Sequence, residues 1–366
     1  MDFATFRALN PEEVKNLTAE DLKGLLGAHL PALKTGFNDT VVKVWVNSHF
    51  ESEVRKVGLT GGIPDPPLET VLCEARNSSE VNDFLTTLNR TQLCSIAIVD
   101  YACARIDLLA NLTSYDVTVL FDCFTGSKAL KISDEKALLV FIQKLDRTTL
   151  NQALDMFNNK TSNISSIPLE TKTTFFNALW ENVKPNITGP AFLSKWFQQR
   201  FRPIIAGIPQ SVLSDLLVRN VTCDGYQAVV KGLSNGFGEM TATTRQSILQ
   251  VWILSYLNGT GAGCISNTNG SRDWLVKNWG QFSKLAQIRD LSNLNSNFSA
   301  VAAAGLLTVS QLGEAVGRNG TLENASDVRK VFTTITNGTV TEFIDVFAAA
   351  AHMLIPNLLQ NNVGLK

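Results

Sequence analysis

The chain has 366 residues, 45% of them apolar, with 32 Lys and Arg against 33 Asp and Glu and a net charge of -1. That length excludes a lone disulfide-stapled module, and the balanced charge leaves no electrostatic footprint for nucleic acid. No run approaches the ~20 uninterrupted apolar residues of a membrane-spanning helix, so the composition describes a soluble globular chain and names no biochemical act.

The opening MDFATFRALNPEEV lacks the apolar core and small-residue cleavage site of a secretory leader, and is expected to be an internal segment of a longer secretory precursor. Beyond it, Leu22, Leu25, Leu26, His29, Leu30 and Leu33 stripe one helix, and Val41, Val42, Val44, Trp45 and Val46 crowd the next. The same spacing predicts helices over 92–107, 113–122, 134–144, 147–157, 169–182, 189–199, 209–218 and 240–257, then 297–317 in two pieces, 325–335 and 339–355. Strand signals are scarce. IAIV at 96–99 and VTVLF at 117–121 are β-branched, but both sit inside longer helical patterns. The last run, FIDVFAAAAHMLIP, is interrupted by Asp345 and followed by polar residues, so it reads as an amphipathic or buried helix rather than an anchor.

A short signature recurs along this series. Leu17-Thr18-Ala19-Glu20-Asp21-Leu22 and Leu307-Thr308-Val309-Ser310-Gln311-Leu312 share one form, each with a glycine five residues after its second leucine, and Leu112-Thr113-Ser114-Tyr115-Asp116-Val117 is a looser copy. Thr acts as N-cap, and the polar residue three positions on reaches back to the cap's amide. Helices opened this way at short intervals, with few strands, predict helix pairs stacked side by side in a superhelix. The chain is read as one elongated all-α domain, with sub-blocks 1–130, 131–207 and 208–366.

Asn-x-Ser/Thr acceptors are the strongest compositional signal. Random placement of these residues would give about five; there are fifteen, at Asn16, Asn38, Asn77, Asn89, Asn111, Asn159, Asn163, Asn186, Asn220, Asn258, Asn269, Asn297, Asn319, Asn324 and Asn337. Helix caps alone would bring Asn and Thr close together, so capping is a competing source of the pattern. Asn258, Asn319 and Asn337 each precede Gly-Thr after an apolar run, where a left-handed Asn-Gly cap would stand exposed and open to a sugar.

Six cysteines form an even set. Cys223 and Cys264 stand apart and are expected to pair, leaving Cys73, Cys94, Cys103 and Cys123 to pair among themselves, although six cysteines allow fifteen connectivities. No CxxC occurs and no His lies at ligand spacing from a cysteine, so no zinc site, and no other metal or cofactor, is expected.

The run LNPEEVKNLTAEDLKGLLGAHLPAL, its echo LTVSQLGEAVG and the dense acceptors resemble the mesothelin, stereocilin and otoancorin group of extracellular glycoproteins. More closely, WFQQRFRPIIAGIPQSVLSDLLVRNVTCDGYQAVVKGLS and WLVKNWGQFSKLAQIRDLSNLNSNFSAV look like one module of tandemly repeated fish surface glycoproteins of mesothelin-like content. The resemblance covers residues 190–320 well and the rest loosely. It implies a right-handed, armadillo-like superhelix, a secretory origin and an adhesive or structural role toward extracellular proteins, glycoproteins or neighbouring copies. No anchor signal of the mesothelin kind is present, and no family binding residue maps onto a position here.

Two other functions compete. Gly232-Leu233-Ser234-Asn235-Gly236 fits the nucleophile elbow of a serine hydrolase, with His352 the only downstream histidine. Yet Tyr226, Val229, Val230 and Leu233 space as a helix, which would end at this motif rather than begin after it. A secreted helical carrier of an apolar small molecule is the second alternative, and a closed apolar pocket of ~300 Å³ or more would favour it. The mixed run Trp196-Phe197-Gln198-Gln199-Arg200-Phe201-Arg202 is expected to fill a helix junction rather than stack on bases. With 18% charged residues, the chain's solubility is expected to depend on its sugars, which should leave one face of the fold bare.

Overall fold

A computed structural model describes residues 1–87, 90–160, 166–219, 221–259, 264–319 and 325–352. Among these residues every regular element is helical, and the only β pairing is an isolated bridge between Phe50 and Ile63. The chain divides into two compact units, Met1–Ala75 and Arg76–Lys366.

In the first unit, helix α1 (Ala19–Leu26) opens on a reciprocal capping box. Thr18 Oγ1 accepts the Asp21 N–H at 3.2 Å, and the Asp21 carboxylate accepts the Thr18 N–H at 2.9 Å, satisfying two amides that the first turn leaves unpaired. It stops at Gly27, whose φ of 49° is strained for any residue with a Cβ. Helix α2 (Thr40–Ser48) is opened by Asp39 and carries Trp45, which is buried and donates its indole N–H to Leu17 O at 2.6 Å. Phe6, Leu22, Leu26, Val42 and Val54 close around that ring. His49 stacks on it at 4.6 Å, while His29 stands exposed at a helix end.

The second unit contains α3 (Ile98–Cys103), α4 (Ser114–Thr125), α5 (Glu135–Lys144), α6 (Arg147–Lys160), α7 (Leu169–Val183), α8 (Pro190–Lys195), α9 (Cys223–Asn235), α10 (Gly270–Asn278), α11 (Val309–Asn319) and α12 (Val340–His352). Packing skips along the chain. Helix α5 lies between α3 and α7, α7 against the 3-10 segment Arg202–Gly207, and α4 against α6. Helix α8 and the π-helical segment Trp196–Arg200 pack on α9, which also meets α10 and the 3-10 turn Gly280–Leu285. Helices close in space are thus often one element apart in sequence, which lets each amphipathic stripe be covered from two sides.

Two of these contacts bring main chain onto main chain. A Cβ at Gly207 would lie 2.6 Å from the backbone of Lys172 in α7, and one at Gly232 in α9 would lie 2.5 Å from Phe197 O. At the α11–α12 contact, Gly317 plays a different part from Gly27: it lies inside its helix, and its missing side chain admits Phe347 O and Ala350.

The capping boxes at Thr113 and Thr308 are also formed. Gln311 Oε1 accepts the Thr308 N–H at 2.8 Å, and Asp116 accepts the Thr113 N–H at 3.0 Å. Asp116 is fully buried, and also accepts from Arg90 Nε at 2.7 Å and Nη2 at 3.3 Å. Burial pushes its pKa up, but the bonds from Arg90 and Thr113 outweigh burial and hold the carboxyl below the usual range. A carboxyl with its folded pKa so depressed contributes stability that is complete above its unfolded pKa and is lost as pH falls through the folded value. Asp116→Asn should therefore cost about 1–2 kcal/mol at neutral pH and flatten the acid limb of a stability-versus-pH curve. An unchanged acid limb in chemical denaturation would contradict this role.

Several sequence expectations are corrected. The helix expected over 92–107 is broken into a 3-10 segment Arg90–Ser95, α3, and Ile106–Leu109. Ala104 and Arg105 are extended, and Lys144 Nζ takes the carbonyls of Ala102 at 2.6 Å and Ala104 at 2.8 Å. The charge from α5 satisfies the end of α3 and removes the need for the helix to continue. The β-branched runs at 96–99 and 117–121, by contrast, enter no strand, in line with the helical pattern around them, and 117–121 lies inside α4. Of the pair expected over 297–317, the first piece is a turn followed by the 3-10 turn Ala304–Leu306. Asn258 and Asn337 are not left-handed caps. Among the described non-glycine residues only Cys264 has positive φ, and neither Gly259 nor Gly338 does. Asn258 is still helical and Asn337 lies in a turn before α12.

Candidate functional site

The described acceptor asparagines sit at the ends of elements or in the turns between them. Nine of the ten whose side chains are described are exposed: Asn16, Asn38, Asn77, Asn111, Asn159, Asn258, Asn269, Asn297 and Asn337. Asn186 is half-buried. Asn89, Asn163, Asn220 and Asn324 lie outside the described residues, as does the side chain of Asn319.

The other asparagines behave differently. Of the twelve described that are not acceptors, only Asn10, Asn47, Asn235 and Asn293 are exposed. Asn278 and Asn295 are buried, and Asn278 both accepts from Gln227 Nε2 at 2.9 Å and donates to Cys264 O at 3.4 Å. By contrast, the side-chain amides of Asn38, Asn111, Asn159, Asn258, Asn269, Asn297 and Asn337 make no hydrogen bond among the described residues. Such amides can be substituted without breaking anything in the fold. Capping explains part of the pattern, since Thr18, Thr113 and Thr222 each accept a first-turn N–H. It accounts for the threonine and leaves unexplained the asparagine two residues earlier.

All six cysteines are in disulfides. Cys223, the first residue of α9, is joined to Cys264, and Cys94 is joined to Cys123 in α4. Cys73 and Cys103 are disulfide-bonded as well, and no cysteine is free. This usage is compatible with an oxidising compartment.

Ser234 lies in the last turn of α9, preceded by helix where an elbow needs a strand. Its Oγ accepts the Gln281 N–H at 3.2 Å, and a Cβ at Gly280 would lie 1.9 Å from it. The hydroxyl is thus a spacer between α9 and the 280–285 turn. The side chain of His352 lies outside the described residues. Trp196, Phe197 and Phe201 are buried, with Arg200 stacked 4.8 Å above Trp196 and its Nε 3.1 Å from Asp155, so these rings present no face to a base. Arg202 is exposed.

Along α9 and α10 runs an open groove of about 560 Å³. Ala228, Val276 and Leu306 give it an apolar floor, and Asp224, Lys231 and Asp273 stand at its rim. Val276 is 52% exposed, a large apolar side chain left in solvent. No described acceptor asparagine lines the groove, although Asn269 donates its backbone N–H to Asp273 at 2.9 Å.

No family model, curated protein or solved structure matches the chain.

Among the described residues no helix is long and apolar enough to cross a membrane, and no group of His, Cys, Asp and Glu is placed to hold a metal. The groove escaped sequence reading because its walls come from residues 198 to 306 and share no spacing.

Proposed function

We propose that the chain is an N-glycosylated extracellular module with a structural or adhesive role, akin to the mesothelin, stereocilin and otoancorin group. Its second unit would form a right-handed, armadillo-like superhelix whose unglycosylated surface meets an extracellular protein or glycoprotein, or a neighbouring copy of the module. The observation that carries this reading is the segregation of asparagines: nine of the ten described acceptors stand in solvent, seven of them with idle amides, whereas eight of the twelve other described asparagines are at least half-buried. Complete pairing of the cysteines supports the compartment. The groove beside α10 supports a contact surface, because its lining combines apolar and charged side chains and includes no described acceptor asparagine, the nearest, Asn269, being bonded through its backbone to Asp273.

Protein from a secretory host, coated on a surface, should retain cells or matrix proteins above an albumin-coated control. Val276→Glu in the groove should cut retention at least severalfold; retention equal to albumin, or indifferent to the substitution, contradicts the reading. A carrier of apolar small molecules is the second reading, favoured by a volume within the ~300–1,000 Å³ range of ligand sites. Its opposing feature is that the groove is open. Native mass spectrometry that finds a stoichiometric apolar ligand would move the weight to it.

A further inference from the structure

Asn186 is the one described acceptor set into the surface. It closes the 3-10 turn Lys184–Asn186 after α7, donates Nδ2–H to Asn182 O at 3.1 Å, and accepts from Arg147 Nη1 at 3.2 Å through Oδ1. Beside it opens a cleft of about 90 Å³ between α6, the end of α7 and the π-helical segment.

Three properties of this cleft define what fits it. It is small and open to solvent, so a ligand attached at its rim can reach into it. Leu150, Val183 and Phe192 make one side apolar, while Asn151, Asn182 and Arg147 supply amide and guanidinium groups on the other. Arg147 is exposed, pairs with no carboxylate among the described residues and donates to Asn186, whereas Arg200 is committed to Asp155 and Trp196. An apolar wall facing amide and guanidinium groups, with a modification acceptor on the rim, calls for a ligand that is half methyl and ring C–H, half hydroxyl and amide.

We propose that the cleft seats the first N-acetylglucosamine of a glycan carried by Asn186. The acetamido methyl enters the apolar side, the ring lies across the mouth with its C–H face toward Phe192, and its hydroxyl and amide groups meet Arg147 and Asn151. Attachment forms the Nδ2–C1 bond as the C1–O bond to an oligosaccharyl pyrophosphate donor breaks. The pyrophosphate leaves with the electron pair, the amide releases one proton to solvent, and the remaining N–H holds Asn182 O. This rests on the glycosylation reading, and adds that this one sugar is part of the packed surface.

The test is site-resolved glycopeptide mass spectrometry of folded protein from a secretory host during digestion with a peptide N-glycosidase. Asn186 should be occupied and released at least about tenfold more slowly than Asn111 or Asn159, because cleavage requires local opening of the seat. Phe192→Ala should abolish the lag, and Arg147→Ala, at an exposed side chain, provides the same readout if the first variant does not fold. An empty Asn186 beside occupied neighbours, or release at the common rate, overturns the seat alone. Absence of sugar at every acceptor overturns the glycosylation reading with it.

Discussion

Gly232→Ala should destabilise the second unit by about 3 kcal/mol, and Gly207→Ala by a similar amount. The added methyl at Gly232 would meet Phe197 at 2.5 Å from O, 2.6 Å from C and 2.8 Å from Cβ. Two of those atoms are backbone, and the segment that bears them cannot retreat, because Trp196, Phe197 and Phe201 are all buried against their neighbours. At Gly207 the methyl would lie 2.6 Å from Lys172 C and Thr173 N, both in α7. Gly238 supplies the contrast. Nothing lies within 4 Å of a Cβ there, so Gly238→Ala should be neutral or stabilise by a few tenths of a kcal/mol through the unfolded chain. Chemical denaturation of the three variants separates a contact effect from helix propensity, which would move all three the same way.

The second large effect belongs to the Cys223–Cys264 bond. It closes a loop of 41 residues, and the chain-entropy relation gives about 4 kcal/mol for constraining a loop of that size in the unfolded state. Replacing both cysteines by alanine should lower the unfolding free energy by about that amount. The Cys94–Cys123 loop is shorter, with a separation of 29, so its removal should cost slightly less. An unfolding midpoint indifferent to reductant would show that neither bond constrains the unfolded chain.

The all-α class was legible because apolar spacing is local: Leu22 and Leu26 are buried on one face of α1, although the stripe expected to run on to Leu33 is cut at Gly27, and Leu33 is buried from a separate short helix, Ala32–Thr35. The three capping boxes were legible for the same reason, since an i to i+3 exchange depends on nothing outside its own turn. Features set by distant partners were not. The end of α3 is fixed by Lys144, about forty residues on, and the π-helical turn at Trp196–Arg200 packs against a glycine in α9. The acceptor pattern reads only two residues ahead, so it cannot tell Asn186, held by Arg147 from another helix, from Asn111 in open solvent. Sequence therefore located the acceptors, and the fold distinguished among them.

The measurement that bears most directly on the extracellular glycoprotein reading is site-by-site occupancy after enzymatic deglycosylation in ¹⁸O water, in which each released acceptor becomes a labelled aspartate. Protein from a secretory host should be labelled at the nine exposed acceptors and, after unfolding, at Asn186, while Asn10, Asn47, Asn235 and Asn293, exposed but outside the motif, stay unlabelled. Unlabelled acceptors throughout, with an intact mass equal to that of the bare chain, would contradict the account.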